Sequence, residues 1–193
     1  DTTLTLNDNA LTVSVGETNT SVKATLKRGI DALSGITPDI VWTDTSSATV
    51  TSGATNTSGV STITVQGLAS KSTTTVTVKY DGDSNHNASQ ATFDLTVSQL
   101  SLTINSVSDG ETAISSNSTA GTYNLNSKSI DVSHGGTIYI FADPDTGYHF
   151  NGWTKNSGTG SISNASTENT TVTNITSNVT VSASFAANEL NFN

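Results

Sequence analysis

Apolar residues return at every second position in one short run after another, and no stretch holds the 3.6-residue period of a helix. Leu11, Val13 and Val15 alternate with Thr12 and Ser14, and Val22, Ala24 and Leu26 with Lys23, Thr25 and Lys27. Ile40 and Trp42 share a face, as do Ile63 and Val65. Val76, Val78 and Tyr80 follow, then Phe93, Leu95 and Val97. A period of two puts each apolar set on one side of an extended chain, which is the signature of half-buried antiparallel strands. Gly, Asn, Asp and Ser separate the runs, as at Asn7-Asp8-Asn9, Ser34-Gly35, Ser58-Gly59 and Asp81-Gly82-Asp83. These residues supply turn conformations and local side-chain hydrogen bonds. Roughly seven or eight short strands at this spacing predict a β-sandwich for the first half.

The second half is also all-β. The run Thr137-Ile138-Tyr139-Ile140-Phe141-Ala142 is apolar on both faces, which predicts a central strand. Tyr148 and Phe150 flank His149 in the next strand, and Val179, Val181, Ala183 and Phe185 alternate with polar residues in the last. A strand ends at Val97 and another begins at Leu102, with the seam at Ser98, Gln99 and Leu100. The expectation is two domains with little slack between them, 1–98 and 99–187, and a tail or linker over 188–193.

Val, Ile and Thr are plentiful and charged residues make up 12%, so the chain reads as folded. It has no cysteine, which excludes disulfides, thiolate zinc sites and a cysteine nucleophile. A net charge of −9 makes it a poor partner for phosphate backbones or anionic lipid. Its one basic cluster, Lys23, Lys27 and Arg28, reads as a solvated strand edge. No run of about 18 apolar residues exists to span a membrane, so direct insertion is not expected. The chain opens with neither a signal peptide nor a methionine, and is expected to be a fragment of a longer secreted protein.

Three places in the first half carry a resemblance. One is Ile40-Val41-Trp42-Thr43-Asp44-Thr45-Ser46-Ser47-Ala48-Thr49-Val50, a strand tryptophan followed by a Ser/Thr-rich turn. Another is the Thr-Val-Thr-Val strand between Ser72 and Lys79. The third is Tyr80-Asp81-Gly82-Asp83-Ser84-Asn85-His86-Asn87-Ala88-Ser89, with His86 where an aromatic is usual. Residues 1–98 resemble bacterial immunoglobulin-like domains. In the second half the segment Gly135 to Trp153, with its Gly147-Tyr148-His149-Phe150-Asn151-Gly152-Trp153 centre, and the closing strand Asn178 to Phe185 resemble the divergent bacterial repeats related to internalin B repeats. That resemblance covers residues 100–187; Val107 to Asn126 departs from its pattern. Both resemblances imply tandem modules of bacterial cell-surface proteins and adhesins.

Candidate sites are few. Asp81, Asp83, Asn85 and Asn87 place oxygen ligands at alternate positions, as a calcium loop does, but an Asx-rich turn accounts for the same residues. Asp143 and Asp145 bracket Pro144 and read as a turn rather than an acid/base pair. His86, His134 and His149 are scattered, and no nucleophile elbow, phosphate loop or dinucleotide fingerprint is present. No cofactor is expected. Trp42, Tyr80, Phe93, Tyr148, Phe150, Trp153 and Phe185 are expected in the cores, which leaves Tyr123 and Tyr139 as the tyrosines open to a ligand. The expected role is therefore non-catalytic: monomeric spacer modules of an extracellular adhesin stalk, with neighbouring modules as partners. Recognition of a glycan or host protein, or an accessory role beside a carbohydrate-active enzyme, is the alternative.

Overall fold

The computed structural model describes residues 1–189, and every regular element among them is a strand. Of the predicted tail, 190–193 lie outside the described residues. Asn188 is tied back to the body instead of leaving it, through its N–H to the Gly147 carbonyl at 2.8 Å. The chain divides into two compact units, the first ending at Ser98 and the second beginning at Gln99.

The first unit has β1 (Thr2–Leu6), β2 (Ala10–Ser14), β3 (Thr18–Asn19), β4 (Lys23–Arg28), β5 (Asp31–Ala32), β6 (Asp39–Val41), β7 (Ala48–Ser52), β8 (Val60–Gly67), β9 (Lys71–Tyr80) and β10 (Ser89–Ser98). One sheet runs β1-β4-β8-β3, with β5 on β4 and β7 on β8; the other runs β2-β10-β9-β6. The alternating Val, Leu and Ile side chains of both sheets meet in one core around Phe93, which is 1% exposed. Burying each such side chain stabilises the fold by about 1.5–3 kcal/mol. Trp42 departs from expectation. It lies one residue beyond β6, is half-buried, and packs against the rim of this core.

β1, which the alternation reading passed over, sets the topology. It pairs antiparallel with β4 in one sheet. The chain then turns through Asn7-Asp8-Asn9, where Asp8 accepts the Ala10 N–H, and continues as β2 in the other sheet. There β2 runs parallel to the last strand, from Ala10 opposite Asp94 to Ser14 opposite Ser98. The Asp94 N–H to the Asn9 carbonyl and the Val15 N–H to the Ser98 carbonyl bracket this ladder. Leu4, near the start of the chain, meets Ser89 at the start of β10. The unit is thus entered at one pole and left at the other, a strand of ten residues and about 30 Å away.

The second unit has β11 (Leu100–Ile104), β12 (Gly110–Ser115), β13 (Lys128–Val132), β14 (Gly136–Pro144), β15 (Tyr148–Ser157), β16 (Ser161–Ile162), β17 (Thr170–Ile175) and β18 (Val179–Ala187). Its sheets are β13-β11-β18-β15 and β12-β14-β17-β16, so β14 is an interior strand. The topological device recurs: β11 lies parallel to β18, with Leu102, Thr103 and Ile104 opposite Val179, Thr180 and Val181. The Ser101 N–H to Asn178 Oδ1 and the Asn105 N–H to the Val181 carbonyl extend the pairing at both ends.

A β-bulge decides which aromatics enter this core. The register between β15 and β18 slips between Phe150 and Gly152, leaving Asn151 as the extra residue. Gly152 takes φ 151°, a conformation that favours glycine. The slip lets both Phe150 and Trp153 face the core, although they are three apart. Their ring centroids are 5.7 Å apart, and Phe150 lies 6.1 Å from Phe185, nearly edge-on. Tyr148 was expected in this core and is not part of it. It pairs with Ala187 at the very end of β18, beyond the Phe150–Phe185 contact, and stays half-buried.

Candidate functional site

The outward face of the β12-β14-β17-β16 sheet carries an aromatic-floored groove. Along β14, Ile138, Ile140 and Ala142 turn inward to the core. Tyr139 and Phe141 alternate with them and so point the other way. Tyr139 pairs with Ser115 on β12 and Thr171 on β17, and Phe141 pairs with Ala113. Phe141 is only 6% exposed and Ala113 fully buried, although neither belongs to the core cluster. The divergent segment after β12 returns along that strand: Asn124 and Thr112 exchange two backbone hydrogen bonds of 3.1 Å. Gly121 approaches so closely that a Cβ there would lie 2.8 Å from the Ile114 carbonyl. The resulting groove, of about 420 Å³, is lined by Tyr139 and Phe141 below and by Ser118, Asn164, Thr167 and Asn169 among its walls.

The wall formed by the loop between β16 and β17 is held from beneath by Trp153, itself 4% exposed. The Trp153 indole N–H is shared between the Thr167 and Glu168 carbonyls at 3.1 and 3.2 Å, and its backbone N–H donates to Ala165. Within the loop, Asn164 Oδ1 accepts the Ser166 N–H, and Thr170 Oγ1 accepts the Asn164 N–H, both at 3.0 Å. Ser163 and Thr171 share a hydroxyl–hydroxyl bond of 2.7 Å. Sequence reasoning found Tyr139 but not this loop, whose residues carry no apolar signal. Tyr123 does not line the groove. Its phenol is half-buried, and burial together with the Asp143 and Glu168 carboxylates raises its pKa above the usual range.

The remaining candidates are turns. Asp83 is engaged by its own loop: it accepts from Tyr80 Oη and the Asn85 N–H, and contacts His86 Nδ1 at 2.8 Å. Asp81 pairs with Lys79. Both carboxylates of the proposed calcium set are thus engaged within their own segment, and no group of three or more His, Cys, Asp or Glu side chains that could hold a metal occurs among the described residues. Asp145 closes the β14–β15 turn by accepting the Tyr148 N–H. His149 meets Asn188, and His134 lies in the turn before β14.

Two carboxylates of the first unit are held well below the ordinary range, near about 2. The hydrogen bond from Lys71, then that from Ser46, lowers Asp44; the His86 contact, then the Asn85 N–H and Tyr80 hydroxyl, lowers Asp83. An unfolded carboxylate titrates near about 4. Because the folded pKa is the lower one, these groups stabilise the unit above about pH 4, and that stabilisation is lost as pH falls toward about 2. The first unit's melting temperature should drop across that window. In Asp83→Asn the drop should be shallower; tryptophan-selective melts of a Trp153→Phe background, in which Trp42 is the sole tryptophan, read it. An unchanged drop would remove Asp83 from this account.

Residues 100–189 match the family model of the divergent InlB B-repeat domain. Among solved structures, a chain described as the D00-D0 domain of Intimin is similar, with 15% sequence identity, a TM-score of 0.32, and coverage of 98% of this chain and 94% of that one. Comparison with curated proteins finds no match.

Proposed function

We propose that the two units are non-catalytic, load-bearing spacer modules of a bacterial cell-surface protein, acting as a monomer with neighbouring modules of the same chain as partners. The observation that carries this reading is the strand order. β2 in the first unit and β11 in the second lie parallel to the closing strand, and Leu4 on β1 already meets Ser89 at the start of β10, so the chain arrives at one pole and departs from the other. A unit built this way holds its own two ends apart, as a spacer requires. One residue separates β10 from β11, which leaves little chain to absorb extension. The repeat family matched by residues 100–189 supports a surface location.

Pulling on the two ends of such a unit loads the parallel ladder along its length. The hydrogen bonds then resist together instead of opening one at a time, and forced unfolding is governed by the height of that barrier. The spacer role is tested by tethering the chain to a bead through its first residue and locating a tag fused to its other end. The expected gain in reach over the tag alone is at least about 30 Å, one ten-residue strand. No gain would overturn the reading.

A further inference from the structure

We infer that the groove over Tyr139 and Phe141 binds an uncharged saccharide. A sugar presents apolar C–H faces and a rim of hydroxyls that both donate and accept. The groove offers the complement. Tyr139 supplies a half-buried ring with a polar tip, the combination suited to a ligand that is apolar on one face and wet on its edge. Around it stand hydroxyls of Ser118, Thr167 and Thr170 and the amides of Asn164 and Asn169. Hydroxyls and amides are the side chains that can donate and accept at one site. No lining residue carries a formal charge, so the groove lacks the cations that hold sulfate or phosphate and the carboxylates that hold an amine. A purely apolar ligand would bury the amides without partners, at a cost of about 1–3 kcal/mol each.

The site is also pre-formed. Trp153 fixes the loop backbone from below, and Asn164, Ser163 and Thr170 hold its turn, so little ordering is left for a ligand to impose. Asn169 keeps its main-chain carbonyl on the Thr167 hydroxyl while its exposed side chain lines the groove. The volume falls within the range of about 300–1,000 Å³ typical of small-molecule sites.

The experiment is an amide-resolved NMR titration of the full chain with neutral tetrasaccharides of glucose, galactose and mannose, and with sulfated forms of the same backbones. The expected result is saturable shifts at Tyr139, Asn164, Asn169 and Thr171 with at least one neutral sugar, and no tighter binding of its sulfated form. Tyr139→Ala should weaken that binding about tenfold or more through loss of the ring face, while Tyr139→Phe keeps most of it. Thermal melts establish that both variants fold; if Tyr139→Ala does not, Asn169→Ala on the exposed wall is expected to weaken binding in its place. No shift with any neutral sugar, preference for a sulfated one, shifts away from the groove, or unaltered binding by folded Tyr139→Ala would overturn the inference. The spacer reading would survive that failure, because it rests on strand order alone.

Discussion

Trp153→Ala should destabilise the second unit by about 4–5 kcal/mol, the upper end of what removing one large buried aromatic costs. Three losses combine. The side chain is almost fully buried, so its removal leaves a cavity beside Phe150 and the core valines. Its indole N–H is the shared donor to Thr167 and Glu168, and both carbonyls lose that partner. The loop between β16 and β17 then loses its support from beneath. Trp153→Phe restores most of the volume but not the donor, and should cost about half as much. Urea unfolding followed by circular dichroism measures both. Wild-type stability of Trp153→Phe would mean that the indole hydrogen bonds contribute nothing; equal stability of the two variants, or wild-type stability of Trp153→Ala, would contradict the packing described for this core.

Phe93→Ala should destabilise the first unit by about 3–5 kcal/mol, whereas Trp42→Ala should cost only about 1–2 kcal/mol. The order is opposite to residue size. Phe93 is 1% exposed and projects from β10 into the centre of the core. Trp42 sits at the rim, and its indole N–H is buried without a hydrogen-bond partner among the described residues. An unpaired buried donor carries a penalty of about 1–3 kcal/mol, which the alanine variant removes. Denaturant unfolding of the two variants settles the order, and a costlier Trp42→Ala would place that ring in the core after all.

These cases show what one chain of letters can convey. Period-two alternation located β4, β8, β9, β10 and β18 because each carries three or more consecutive inward apolar residues, or a strong pair, on one face. β1 offers only Leu4 and Leu6 around threonines, and its partner strand lies beyond any local window. The parallel pairing of β2 with β10 and of β11 with β18 joins residues about 80 positions apart, so nothing local encodes it. The bulge at Gly152 changes the phase of the alternation within one strand. A strict period would have sent Trp153 outward; the shared motif, not periodicity, placed it in the core. Tyr139 was legible as an aromatic without a core role, but the groove around it was not. Its walls come from the segment after β12 and from a loop of Ser, Asn and Thr that reads as ordinary turn chemistry. The Asp83 loop shows the converse. Its spacing suits a cation, yet Tyr80, Asn85 and His86 already engage the carboxylate.

The central claim, that each unit carries force along the parallel ladder of its closing strand, β2 with β10 and β11 with β18, is tested most directly by single-molecule pulling in two geometries. The chain contains no cysteine, so handles can be placed uniquely. Pulling from the two chain ends loads the ladder along its length. Pulling from Ser14→Cys and Ser98→Cys, which are paired residues at one pole, opens it from that end. The account predicts a distinctly higher rupture force for the first unit in the end-to-end geometry than in the paired-residue geometry. Equal forces in the two directions would contradict it.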